Sequence, residues 1–383
     1  MTLSEIGLAF PSSSSCDALD WRADTLTALT DLGSLDLDMD RRRALGAAAY
    51  SVAALALPAN SWWTQMAGRG SRRTGGRKVG RGDVEAVRDM VSLFSRVDQR
   101  RGGGHARAAV VQYLTSDVAG YLGGSYSDDR VRREMFSAAS ELAYLSGWMA
   151  FDNAEHSIAQ YYFTSAVKLA AEADDPPMAG HVLRAMAHQA VDLGHGRQAF
   201  DLAAASMEGM RYALASPRER ALFGVVYART LAATRQRQTA AAALLRAEDD
   251  LAAVRPGDEE PNRMFFFQEA SLAHETACTL RDCGDLRGAV SEFGRSVRTR
   301  KSSTFTRTHA VTLGYLGTVQ VRQGNIEEAC GTWSRALDAM DGVHSGRTRQ
   351  TAADMRSALS PFRRRGIRAA TELDARAAAY LAR

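Results

Sequence analysis

Small and apolar residues recur in a fixed register from about Ser140 to Asp341, and the register is that of paired helices. Ala159, Ala199, Ala240, Ala289 and Ala329 are each followed four residues on by Phe163, Ala203, Leu244, Phe293 or Trp333, and three further by Ala166, Ser206, Ala247, Ser296 or Ala336. Steps of three and four put these side chains on one helical stripe. Twelve residues before each marker alanine stands another small residue, Gly147, Ala187, Ala228, Ala277 or Gly317. Small or apolar residues lie four before and three after it, as in Leu183 and Ala190, with Gln320 an imperfect match in the last unit. Two helices crossing at small residues, an apolar or aromatic plug between them and a turn containing Gly194, Gly284 or Gly324 make a helical hairpin. The markers are spaced by 40, 41, 49 and 40 residues. One hairpin cannot bury its apolar face alone, so the repeat predicts five stacked hairpins with a continuous core and a concave inner wall.

This hairpin resembles the tetratricopeptide unit, with longer helices or loops than usual. The expected fold is all-α: a tetratricopeptide-like helical-hairpin solenoid wound as a right-handed superhelix, spanning 83–383. A leading hairpin occupies 83–122, five repeats about 140–341, and C-terminal capping helices 348–383. Asp83 is expected to cap a helix bearing Val87, Met90, Val91 and Phe94, which Gly102-Gly103-Gly104 breaks before a second helix from His105 to Leu122. Terminal helices are predicted over Thr348–Leu359 and Ala369–Leu381, with Arg363-Arg364-Arg365 in a solvated turn. Residues 1–66 read as an N-terminal helical segment without a DNA-binding domain, with a helix around Ala18–Thr30, and 67–82 as a basic Gly/Arg-rich linker.

Composition narrows the class. The 383 residues are 45% apolar with only 8 Pro, and they lack alternating strand patterns. A net charge of +4 does not by itself demand a nucleic-acid partner. Cys16, Cys278, Cys283 and Cys330 lack the spacing of a disulfide scaffold, which suggests a reducing, cytoplasmic setting. No apolar run approaches the roughly 20 residues of a membrane helix.

Two basic segments have functional readings. Arg41-Arg42-Arg43 before the apolar run to Pro58 looks like a twin-arginine export signal if translation starts at Met39, or else like a buried Ala-rich helix on the first hairpin. Arg72, Arg73, Arg77, Lys78 and Arg81, among glycines, read as a mobile linker that could serve as a nucleic-acid arm. These features carry the two alternatives, an exported scaffold and a DNA-associated repressor.

Catalytic motifs do not assemble. His274-Glu275-Thr276-Ala277-Cys278 has Cys where a zinc-protease helix needs its second His, and Ala277 already serves as a crossing residue. His181, His188 and His195 are seven apart, but Gly194 ends the helix before His195. The glycine triplet neither follows a strand nor precedes Gly-Lys-Ser/Thr. The expectation is a non-enzymatic protein with no cofactor and no metal.

Several phrases form a familiar group: Val79-Gly80 to Asp83-Val84, Asp98 to Arg107, Tyr113-Leu114, Glu141-Leu142 to Gly147-Trp148-Met149-Ala150-Phe151-Asp152, and His188-Gln189-Ala190 to Leu193-Gly194-His195. From about Ile6 to Leu359 the chain resembles the actinobacterial tetratricopeptide regulators of development and secondary metabolism, including negative regulators of sporulation and antibiotic production. Many of those carry a helix-turn-helix domain ahead of this region, which this sequence lacks. In tetratricopeptide proteins the first helix of each repeat lines the concave face. Carried onto this sequence, the resemblance implies a groove of Glu141, Tyr144, Trp148, His181, Arg184, His188, Arg229, His274 and Arg281. Such a surface suits an extended peptide, with an apolar side chain on Tyr144 and Trp148 and an acidic group at the arginines. The implied role is a cytoplasmic transcriptional regulator working through a peptide or protein partner, and a homodimer is compatible with it.

Overall fold

A computed structural model describes residues 19–38, 50–69, 76–364 and 367–383. The fold is all-helical apart from two-residue strands, Lys78–Val79 and Ser125–Tyr126, which pair in parallel. In chain order the α-helices longer than a single turn are α1 (Thr25–Leu37), α2 (Asn60–Ala67), α3 (Arg81–Arg101), α4 (Gly103–Tyr113), α5 (Asp129–Asp152), α6 (His156–Glu172), α7 (Pro176–Asp192) and α8 (Gly196–Ser206). They continue with α9 (Pro217–Ala233), α10 (Arg237–Ala252), α11 (Glu269–Cys283), α12 (Leu286–Thr299), α13 (Thr306–Arg322), α14 (Ile326–Ala339), α15 (Gly346–Arg364) and α16 (Arg368–Leu381).

From α5 onward each odd-numbered helix packs most closely against the helix that follows it, and the pairs then pack on one another. The reason lies in the small residues at the crossings. The marker alanines Ala159, Ala199, Ala240, Ala289 and Ala329 are fully buried, as are the plugs Phe163, Phe293 and Trp333. A Cβ at Gly147 would sit 2.8 Å from the Phe163 ring, and one at Gly317 would sit 2.4 Å from Trp333 Nε1. Large rings therefore fit only because the facing position carries no side chain. The Trp333 ring N–H also donates to the Gly314 carbonyl at 2.9 Å, so the plug is held as well as packed. The terminal helices α15 and α16 form a sixth pair of the same kind.

Three turns between paired helices use glycine at positive φ, namely Gly194, Gly284 and Gly324, near +85°. The other turns put Ala154 and Arg235 there, both at φ +64. The 49-residue spacing has its own explanation. The added residues form a loop over 254–268 whose short 3-10 turn, Asn262–Met264, turns back toward the inner helices.

The stack closes on itself. Helix α3 packs along α5 and also reaches α13. Thr308 donates to Gln99 Oε1 at 3.1 Å, the His344 amide to the Arg101 carbonyl, and the Gly104 amide to the His344 carbonyl at 3.0 Å. The glycine triplet is more than a helix breaker: a Cβ on Gly102 would lie 2.3 Å from His344 O, and one on Gly103 would lie 2.5 Å from Met149 O. Backbones of distant pairs meet at this junction, and only glycine allows it.

The N-terminal segment departs from its expected form. The first described helix begins at Thr25, later than the expected start near Ala18, because Asp24 caps it by accepting from Thr27 N. It docks through charge as much as through apolar contact, since buried Asp36 accepts from Arg107 and, at 3.0 Å, from the Tyr162 hydroxyl. Arg41, Arg42 and Arg43 lie outside the described residues. From Tyr50 to Ala59 the chain makes one 3-10 turn, Ala53–Leu55, in place of a continuing Ala-rich helix. Asp83 caps α3 from its third position, accepting from Gly80 N at 2.9 Å, so the helix starts two residues earlier than expected. Arg363 lies near the end of α15 and pairs with Asp374, in place of a solvated turn position, and Arg365 lies outside the described residues. Among the described residues no helix is long and apolar enough to cross a membrane.

Candidate functional site

Every first helix of the six pairs, together with α3, contributes to the wall of one central cavity. The space open to the centre of a water molecule is about 100 Å³, which makes it a narrow chamber. In place of a broad open groove there is a narrow, partly covered cavity, because α3 spans α5 and α13 and residues of the 254–268 loop join its lining. Side chains meant for solvent are buried instead: His181 is 0% exposed, Arg184 2%, His188 3% and His274 6%.

Six of the nine expected groove residues line this chamber: Glu141, Tyr144, Trp148, Arg184, His188 and His274. They sit on the inward faces of α5, α7 and α11, at helical steps from the crossing residues, so one stripe packs and its neighbour faces the cavity. Tyr144 and Trp148 are 6.2 Å apart, and the Arg184 guanidinium lies 5.5 and 5.6 Å from their rings. His181 stands just behind, edge-on to Tyr144 at 4.6 Å, and accepts from Arg184 at Nε2. Because a guanidinium only donates, that nitrogen carries the lone pair and the proton rests on Nδ1.

Arg229 and Arg281 belong to a second layer. Arg229 bonds Asp192 and lies within 4 Å of Glu275 and Asp282, while Arg281 pairs with Asp282 and covers Tyr315. Each is already matched by carboxylates. The His188 ring reaches toward the same cluster, with Nδ1 3.8 Å from Glu275 and Nε2 3.6 Å from Asp192.

Burial decides the protonation of the histidines. It pulls His188 down to about 4 even against the pull of Glu275 and Asp192, and His274 down to about 3. Thr312 donates to the Thr308 carbonyl and so accepts from His274 Nδ1, leaving Nε2 facing the Cys278 sulfur at 3.8 Å. Burial pushes that thiol up to about 12, far from a thiolate at neutral pH.

Several cavity residues escaped sequence reasoning. Arg263 and Phe265 to Phe267 come from the loop that the long spacing marked, and the spacing was their only signal. Arg263 is held between Glu141 and Glu219 at 3.1 and 2.7 Å, while Phe266 lies near His181 and 5.9 Å from Arg184. Arg300 follows α12, Arg307 opens α13 and Arg347 opens α15, outside the helix-centre positions that repeats make conspicuous. Arg307 lies between Asp98 and Asp152, and Arg347 covers the Phe151 ring at 5.4 Å. Burial lowers the Arg300 guanidinium to about 10.

The basic arm is separate from this cavity. Arg72 and Arg73 lie outside the described residues. Arg77 donates to the Tyr121 hydroxyl at 3.0 Å and lies 4.2 Å above its ring, Lys78 is in the short strand pair, and Arg81 begins α3. This described part is an anchored connection, because Val79 buries against the Tyr126 strand and Arg77 caps Tyr121. The chain matches no protein-family model and no curated protein.

Proposed function

We propose that the chain is a non-enzymatic regulatory protein whose central cavity receives part of a peptide or protein partner, adjusting transcription of developmental or antibiotic genes from the cytoplasm. On this reading the helix pairs are a right-handed tetratricopeptide-like solenoid, led by the 83–122 hairpin and capped by α15 and α16. The resemblance to the actinobacterial tetratricopeptide regulators supports it. The observation that carries it is convergence: one chamber takes side chains from every inner helix, with aromatic rings beside buried cations. Aromatic residues and arginines that lose their water are the side chains that dominate recognition energies. The histidines held neutral and the thiol held protonated by burial favour recognition over acid, base or nucleophile chemistry.

Dimensions constrain the mode of docking. A chamber of about 100 Å³ takes one inserted side chain or chain end, while the remainder of a partner lies along the rim. The proposal is tested by affinity capture from the native host with the wild-type chain, Trp148→Ala and Arg184→Ala, combined with transcript profiling of a deletion strain. The expected result is a partner lost from both variants and a changed set of developmental or antibiotic transcripts. Partners retained unchanged by both variants overturn the proposal.

A further inference from the structure

Four of the five arginines around the chamber fall into two kinds, while the fifth, Arg347, lies over Phe151 and bonds Tyr315. Arg263 and Arg307 each touch two carboxylates at 3.1 Å or less. Arg184, 2% exposed, donates only to neutral groups, the Tyr144 hydroxyl at 2.8 Å and His181 Nε2 at 2.9 Å. Among the described residues no carboxylate lies within 4.0 Å of it, and its Nε has no acceptor. Arg300, 7% exposed, donates to the Ala270 carbonyl and the Ser296 hydroxyl, again with no carboxylate in that range and an unused Nε. Both line the same cavity. A buried cation is tolerated when a counter-charge or a full set of acceptors replaces water, and rings at 5.5 to 5.9 Å replace it only in part.

We infer that the chamber is a receptor for a single carboxylate borne on an aromatic or apolar body, with Arg184 and Arg300 supplying the counter-charge and Tyr144, Trp148 and Phe266 the surface for the body. This rests on the reading of the cavity as the docking site and names what enters it. Charge selects the class. The wall carries Arg184, Arg263, Arg300, Arg307 and Arg347 against Asp98, Glu141 and Glu275, an excess of cations that calls for an anion. Volume selects the size, since the space suits one terminal residue or one small acid. A free organic acid and the C-terminus of a peptide present the same chemistry, and the test separates them.

The experiment is calorimetric titration of the full chain with N-acetyl-phenylalanine, N-acetyl-phenylalaninamide, an acetylated Gly-Ser-Gly-Phe peptide with a free C-terminus, and its amide. Both acids are expected to bind at least about tenfold tighter than their amides, and Arg184→Met to weaken the acids by about tenfold or more. Exposed Arg197→Gln, a control for net charge, is expected to leave binding unchanged. The acid and amide comparison on the wild-type chain needs no variant to fold. Tighter binding of the tetrapeptide acid assigns a peptide terminus, and tighter binding of the single residue assigns a free acid. Equal binding of acids and amides, weakened by Trp148→Ala, overturns the carboxylate assignment while keeping the docking site. No binding of any probe up to about 10 mM overturns the carboxylate assignment, and the capture experiment then decides the docking site separately.

Discussion

Arg307 Nη2 donates to Asp98 Oδ2 at 2.8 Å across 209 residues of chain, tying the inner helix of the fifth pair to the helix that precedes them all. Its other nitrogen, Nη1, donates to Asp152 at 2.9 Å. The closure of the inner wall thus rests on one guanidinium between two carboxylates that are 1% and 0% exposed. Arg307→Met keeps the volume and leaves both carboxylates unpaired. It is expected to destabilise the chain by roughly 3–5 kcal/mol at neutral pH, read from urea unfolding, with Asp98→Asn added to it restoring part of the loss. A loss below about 1 kcal/mol would show that the closure is held elsewhere.

Acid sensitivity follows from the buried histidines. His188 titrates near 4 and His274 near 3 in the folded chain, against 6.5 when free. Above pH 6.5 both states are neutral and nothing changes. As pH falls below 6.5 the unfolded chain binds protons that the native chain refuses, so stability is lost progressively toward pH 4. The difference for His188 corresponds to roughly 3 kcal/mol. Urea midpoints taken from pH 7.5 to 4.5 are expected to fall steadily, with a shallower slope in His188→Gln. An equal slope in the two proteins would remove the histidine from the account.

Two glycines in consecutive helices are expected to respond in opposite directions to alanine. In α13, a Cβ at Gly317 meets the fully buried Trp333 ring at 2.4 Å, and Gly317→Ala is expected to cost about 1–3 kcal/mol. At Gly331 in α14 nothing lies within 4 Å of a Cβ. Gly331→Ala removes the entropy cost of helical glycine and is expected to add about 0.5–1 kcal/mol. Thermal unfolding of the two variants side by side tests the crossing geometry, and a harmless Gly317→Ala would contradict it.

The turn before α10 holds Arg235 at φ +64, where three other pairs have glycine. A side chain there costs roughly 1–2 kcal/mol, part of which the greater freedom of unfolded glycine offsets. Arg235→Gly is therefore expected to stabilise by about 0.5 kcal/mol, measured from the unfolding midpoint, whereas a loss would point to a role for the arginine beyond the turn.

The pairing of helices was legible because its cause is local. Gly147 and Phe163, or Gly317 and Trp333, lie 16 residues apart, and a small residue opposite a large one fits in only one way. The inward stripe was legible for the same reason, since residues a helical step from the crossing face the neighbouring space. Its exposure was not legible. Trp148 and Arg184 read equally well on a broad groove or in a narrow chamber, because the difference lies in α3 and in a loop that begins 70 residues or more further along the chain. The long spacing before Ala289 announced an insertion without saying that its phenylalanines turn inward.

The amino-acid sequence by itself determined an all-α chain of paired helices and which face of each helix packs, because steps of three and four and the small-to-large match act within one hairpin. Only the tertiary structure decided that α3 bridges the two ends of the stack, that the inner wall narrows to a chamber, and which arginines there are neutralised. Ion pairing inside a protein depends on which charges come within about 4 Å after the chain has closed, and Asp98 with Arg307 or Glu141 with Arg263 are brought together from more than 100 residues apart. Arg184 and Arg300 are left over by that same sorting, which no local pattern records.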